Sequence, residues 1–161
     1  METINNKLEQ NGLQPITKQN ILYYYIPMDG CVGFVILGSQ MLSPEFYSKF
    51  KFLMIPRTVS LTNACLGTSL LGSALYISSR SHMKSLPISQ KISYSILGSS
   101  LLNLGSVLGW ALCRSWVSGD DSAGGSGVLL RAVAGGVAAA GVITLARSYL
   151  NFVDDQISKA K

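Results

Sequence analysis

At 161 residues, with 13 basic and 8 acidic side chains, the chain is one small domain or one small bundle of membrane helices. Charged residues are 13% of the chain, against about 25% in soluble domains, while Gly and Ser are abundant. This composition excludes an acidic disordered chain, a coiled coil, a collagen-like repeat and an ordinary charged-surface enzyme, and it points to a membrane.

Residues 1–20 form a polar arm with Glu2, Lys7, Glu9 and Lys18. The arm lacks the apolar core of a secretory signal and the arginines of a cleavable presequence. Pro15 is expected to separate it from the hydrophobic region at 21–150, and residues 151–161 read as a short polar tail. Within that region the first segment, at 21–42, is interrupted by Pro27 and Asp29. It has the length of a span only if Tyr23, Tyr24 and Tyr25 lie at the headgroup level; a re-entrant or interfacial piece is the alternative. Residues 43–56 alternate aromatic rings with Lys49 and Lys51 and read as an interfacial turn.

The next two segments are cleaner. Residues 58–79 and 92–113 each hold 22 residues without charge, closed by Arg57 and Arg80, then by Lys91 and Arg114. Each makes a helix of about 33 Å, enough for a hydrocarbon core of ~30 Å. Trp110 and Trp116 stand where an interfacial belt would place them. Pro87, in the short 81–90 connection, makes these two helices antiparallel neighbours. After an acidic, glycine-rich loop at 117–127, Arg131 and Arg147 bracket a last span near 128–150 with stems that can snorkel. The fold class is thus an all-α membrane protein, a polytopic bundle of four (alternatively three) transmembrane helices near 23–42, 58–79, 92–114 and 128–150. Four spans place Lys7, Lys18, Arg80, Lys84, Lys91, Arg147, Lys159 and Lys161 on one side with both termini. The other side holds Lys49, Lys51, Arg57 and Arg114, with Arg131 as a fifth. The richer side is then the cytoplasm or the mitochondrial matrix. Three spans leave the balance nearly even.

Small residues recur every fourth position: Ser60, Ala64, Thr68 and Gly72; Gly105 and Gly109, a GxxxG pair; and Ala132, Gly136, Ala140, Thr144 and Ser148. Such stripes let helix backbones approach in lipid, where dispersion and hydrogen bonds hold helices together. They serve packing within the bundle or docking against another subunit. Asn63 and Asn103 are expected to bond each other or a backbone carbonyl, the alternative being a ligand or ion path. Asp29 reads as the N-cap of a helix beginning at Gly30, or as an intramembrane acid that relays protons or pairs with Arg57 or Arg131.

Chemistry-bearing groups are sparse. His82 is the one histidine and reads as a surface residue. Cys31, Cys65 and Cys113 are far apart and lie in apolar runs, so they read as reduced, unliganded thiols. Asp120 and Asp121 lack the spacing of a metal or phosphate loop. The expectation is therefore no enzyme, no catalytic or metal site and no cofactor. The basic residues are dispersed as membrane flanks, so nucleic acid is not an expected partner. Membrane lipid and other membrane-protein subunits are, with a second copy as an alternative. The function expected is a structural or accessory subunit, or assembly factor, of a larger membrane complex. The mitochondrial inner membrane is favoured and an endomembrane stays open; the alternative is a small oligomeric carrier or channel.

Overall fold

The structure, a computed structural model, describes residue 12 and residues 14–46, 60–117 and 125–159. These residues are all-α, 90% of them helical. Four helices carry the architecture: α1 (Ile26–Leu42), α2 (Leu61–Ser78), α3 (Ile88–Val117) and α4 (Gly125–Lys159). The interfacial turn expected at 43–56 and the acidic loop lie largely outside the described residues, as does most of the polar arm.

Pro27 does not break the first segment. One helix runs from Lys18 to Leu42, through a π-helical turn at Ile21–Tyr25 in which Ile26 N–H reaches back to the Ile21 carbonyl. A proline ring inside a regular α-helix collides with the carbonyl four residues earlier, and the proline has no N–H to donate. The wider turn placed just ahead of Pro27 accommodates both defects. The start of the segment is fixed by three local bonds. The Thr17 hydroxyl accepts from Asn20 N–H at 3.1 Å, Asn20 Nδ2 donates to Pro15 O at 2.9 Å, and Tyr25 Oη donates to Gln14 O at 2.5 Å. Asp29 consequently lies inside a helix, exposed, and caps nothing; this corrects the N-cap reading.

Contacts fix the helix directions. Gly30 meets Gly72 and Gln40 meets Thr62, so α1 and α2 are antiparallel. Asn103 meets Ser69 and Ser99 meets Ser73, so α2 and α3 are antiparallel. Gly38 meets Gly135 and Ser43 meets Val128, so α4 is antiparallel to α1. The result is an up-down-up-down bundle in which α1 packs against each of the other three. The turn between α2 and α3 and the end of α4 share the end of the bundle where α1 begins.

Among the described residues, three helices are long and apolar enough to cross a membrane: Lys18–Leu42, Ile88–Trp116 and Gly127–Lys159. Helix α2 has 18 residues and carries Thr62, Asn63, Thr68, Ser69 and Ser73. It is not among these three by length and composition, yet α1 and α3 run the same way, so a chain that crosses in both recrosses between them. The inter-helix contacts also set relative heights. Tyr23 and Tyr94 lie level near one end; Arg114 and Arg131 lie level near the other, about 20 helical residues and hence ~30 Å away. That is the thickness of a hydrocarbon core, with tyrosines at one face and arginines at the other. At about 27 Å, α2 fits between these tiers.

Helices α3 and α4 continue beyond the expected ends. The 35 residues of α4 reach Lys159, so most of the segment expected as a polar tail is helical. Trp110, expected in an interfacial belt, is buried. Its ring lies 4.9 Å from that of Phe34 and fills the space left by Gly38, which has no side chain to oppose it. Trp116 is 80% exposed. The topology makes a direct forecast. In a cysteine-free background, single cysteines at Ser85 and Ser158 should react with a membrane-impermeant maleimide from the same side, and one at Ser115 from the opposite side; a different pattern refutes the alternation.

Candidate functional site

At the crossing of α1 and α2 two backbones come into direct contact. A Cβ added at Gly30 would stand 2.8 Å from Gly72 Cα and 2.9 Å from the Thr68 carbonyl oxygen. A Cβ at Gly72 meets Gly30 Cα at 2.8 Å in return. Beside this pair, Gly33 lies against Thr68 Oγ1 and the Cys65 backbone. The sequence stripe on α2 therefore contributes Thr68 and Gly72 to this contact. Ala64 is half-buried, and Ser60 is exposed at the helix start. The α1 glycines that receive the stripe went unread in the sequence, because spacings of three and five between Gly30, Gly33 and Gly38 match no GxxxG pattern.

The α1–α4 crossing is similar. A Cβ at Gly135 would lie 2.5 Å from the Gly38 carbonyl oxygen, and Ala139 is fully buried against Gly38. Ala132 is buried and Gly136 is half-buried beneath Ser39, but Ala140 and Thr144 are exposed. They do not join this face, which corrects the five-position stripe. A strict spacing of four drifts by about 40° per step around an α-helix, so the outer members rotate away. Mixing steps of three and four keeps Ala132, Gly135 and Ala139 on one side. Gly105 is exposed and Gly109 half-buried, and a Cβ at either would meet nothing within 4 Å. Among the described residues, the GxxxG pair of α3 thus packs against no other helix.

On its other side α2 meets α3 through a polar seam. Asn103 has no exposed surface, and Ser69 and Ser99 are nearly as buried. Asn103 Oδ1 accepts from the Ser69 hydroxyl. Asn103 Nδ2 donates to Ser73 Oγ at 2.9 Å and to the Ser99 carbonyl at 2.8 Å. The hydroxyls of Ser73 and Ser99 bond each other at 2.7 Å, and Ser99 Oγ also donates to Leu70 O at 2.6 Å. Every polar atom of the amide is satisfied, as burial in an apolar surround requires. Asn63 takes no part. It sits exposed near the start of α2, well before Ser69 and Ser73, so the two amides do not pair, and Asn103 instead makes the expected bond to a backbone carbonyl. Asp29 and Arg131 likewise lie toward opposite ends of the bundle and are too far apart to pair, because Ser43, not Asp29, faces the start of α4. Arg57 is outside the described residues.

A second polar cluster ties the α2–α3 turn to α4. His82 contributes both its backbone N–H, at 3.0 Å, and Nδ1, at 2.7 Å, to Asp154 Oδ1. The carboxylate only accepts, so Nδ1 carries the proton. Arg80 stands 3.7 Å from Asp154 Oδ2, donates to Asn151 Oδ1 at 2.6 Å, and lies over the Tyr76 ring at 4.8 Å. His82 is thus a partly buried latch, contrary to its reading as an unpartnered surface residue. Asp154, Asn151 and Tyr76 were not singled out in the sequence. Seventy-two positions separate His82 from Asp154, and only the expectation that α4 extends past Arg147 would have drawn attention to them.

Of the cysteines, Cys65 is buried at the α1–α2 contact, while Cys31 and Cys113 are exposed on the outside of the bundle rather than buried in it. Among the described residues no group of three His, Cys, Asp or Glu stands close enough to hold a metal ion. Comparisons with known protein families, with curated proteins and with solved structures returned no match. The class that fold and composition define is a small helical membrane protein.

Two variant pairs separate these contacts from general intolerance. Gly72→Leu should destabilise the bundle by at least the ~1–3 kcal/mol of an overpacked core. Gly67→Leu, in the same helix where a Cβ meets nothing, should change little. Asn103→Leu should cost about 1–3 kcal/mol, because Ser69 and Ser73 lose a buried partner, whereas Asn63→Leu should be near neutral. Unfolding in mixed micelles with increasing denaturing detergent reads both pairs.

Proposed function

We propose that the chain is a non-enzymatic structural subunit or assembly factor of a larger membrane complex, in the mitochondrial inner membrane by preference. The observation that carries this reading is the closure of the α2–α3 seam. Asn103, Ser69, Ser73 and Ser99 spend their hydrogen bonds on one another and on helix carbonyls, so the seam joins helices instead of lining a path. The chain then acts through its surface. On that surface Gly105 and Gly109 leave the α3 backbone open to a neighbouring helix, among exposed Leu101, Leu104, Leu108 and Leu112. The excess of basic residues and the confinement of all three thiols to apolar segments support the organelle.

A small oligomeric carrier or channel is the second reading. It draws on two buried polar atoms without a hydrogen-bond partner, Gln40 Oε1 and Ser95 Oγ, which a hydrated path would serve.

Native electrophoresis of mildly solubilised membranes tests the proposal. The wild-type chain should migrate in a species well above 17 kDa that contains other proteins. Gly105→Ile combined with Gly109→Ile should release it, with about a tenfold to hundredfold loss of association on the overpacking scale. Gly141→Ile, at an equally open glycine of α4, should leave the species intact. Migration of the wild type alone, or as a complex made only of this chain, defeats the subunit reading and favours the carrier.

A further inference from the structure

The end of the bundle that carries the α2–α3 turn is built in two tiers. Tyr23, Tyr94 and Tyr149, on α1's leading turn, α3 and α4, are all substantially exposed there. Tyrosines of this kind sit at the headgroup level, ring in the apolar layer and hydroxyl in the wet one. Beyond them in the helix register come Lys18, Lys91 and Lys159, with Lys84 on the turn. Arg147 lies on the outer face of α4 slightly inside the tyrosines, exposed, with a stem long enough to reach outward.

Among the described residues, the acids at this end do not neutralise these cations. Asp154 is already engaged by Arg80 and His82. Asp29 lies inside the tyrosine tier, and Asp155 is the single remaining carboxylate among the described residues there. The cations surround the bundle, since they come from α1's leading turn, the α2–α3 turn, α3 and α4. A collar of cations set just outside an interfacial ring of tyrosines matches a layer of phosphodiesters in charge and in height.

We propose that this collar is a binding surface for anionic phospholipid, with Arg147, Lys84 and Lys91 as its principal phosphate partners. Each cation so placed gains attraction only where the surrounding headgroups carry net negative charge, on the order of fivefold in partition per residue. The attraction is local. Raising the salt from 0.1 M to 1 M shortens its range from about 10 Å to about 3 Å.

The test uses the full chain reconstituted in nanodiscs of phosphatidylcholine and phosphatidylglycerol at 4:1, followed by native mass spectrometry of the lipids retained on release. The retained ratio of phosphatidylglycerol to phosphatidylcholine should exceed the bulk ratio by about fivefold, and the enrichment should fall sharply in 1 M salt. The Arg147→Gln, Lys84→Gln, Lys91→Gln triple variant should retain the two lipids in their bulk ratio. Its helical circular dichroism in pure phosphatidylcholine should equal that of the wild type, because none of the three side chains holds helices together. Bulk-ratio retention by the wild type overturns the proposal, as does undiminished enrichment in a triple variant that is folded. An unfolded triple variant also overturns it, since it would show that these cations serve the fold. The readout is independent of whether the chain joins a complex, so the subunit reading and the collar can fail separately.

Discussion

The architecture depends on two glycines that have no side chains to keep two backbones apart. Gly30 and Gly72 bring α1 and α2 to a separation at which a single methyl group on either would touch the other's Cα. In lipid the hydrophobic effect does little to press helices together, so the attraction comes from dispersion between close surfaces and from hydrogen bonds. Both fall steeply with distance. Because α1 is the one helix that packs on all the others, its spacing from α2 also positions the polar seam and the α4 crossing.

The two sides of α2 illustrate a division of labour. Toward α1 it presents small surfaces, which give contact area without direction. Toward α3 it presents Ser69 and Ser73, whose bonds to Asn103 and Ser99 are directional and exist in one register only. Close packing supplies adhesion, and the amide selects which turn of α3 faces which turn of α2. Helix α4 is held differently. It leans on α1 through Gly135 and Ala139, and its far end is tied to the α2–α3 turn by His82, Arg80 and Asp154.

The helical content, the membrane character and the alternating direction of the helices were legible in the sequence, because uncharged length, flanking cations and a short proline-bearing connection act locally. The persistence of the first helix through Pro27 was not, since a π-helical turn is a backbone adjustment with no residue signature of its own. Small-residue stripes were legible as a tendency, but not the partner of each. Thr68 and Gly72 found a contact while Gly105 and Gly109 have none within the bundle, and nothing in a spacing of four distinguishes them. The latch was illegible for another reason. His82 and Asp154 meet only because two helices lie between them in sequence and align in space, so their pairing is a property of the finished topology.

Helix α2 has a consequence for the lipid around it. It is 18 residues long, held between Ser60 at its start and the Ser79–Arg80 turn at its end, and fastened to α1 at the glycine crossing and to α3 along the seam. A lone helix adapts to a thicker or thinner bilayer by tilting, but α2 cannot tilt without pulling its neighbours out of register. The bundle therefore has a nearly fixed hydrophobic height, about 30 Å between its tyrosine and arginine tiers, with α2 its shortest helix at about 27 Å. In a thick, sterol-rich bilayer of ~32–33 Å the lipids around α2 would have to compress, whereas in bilayers near ~27 Å they would not. Hydrophobic mismatch thus falls on the lipids beside α2, through a rigidity that originates in two missing side chains.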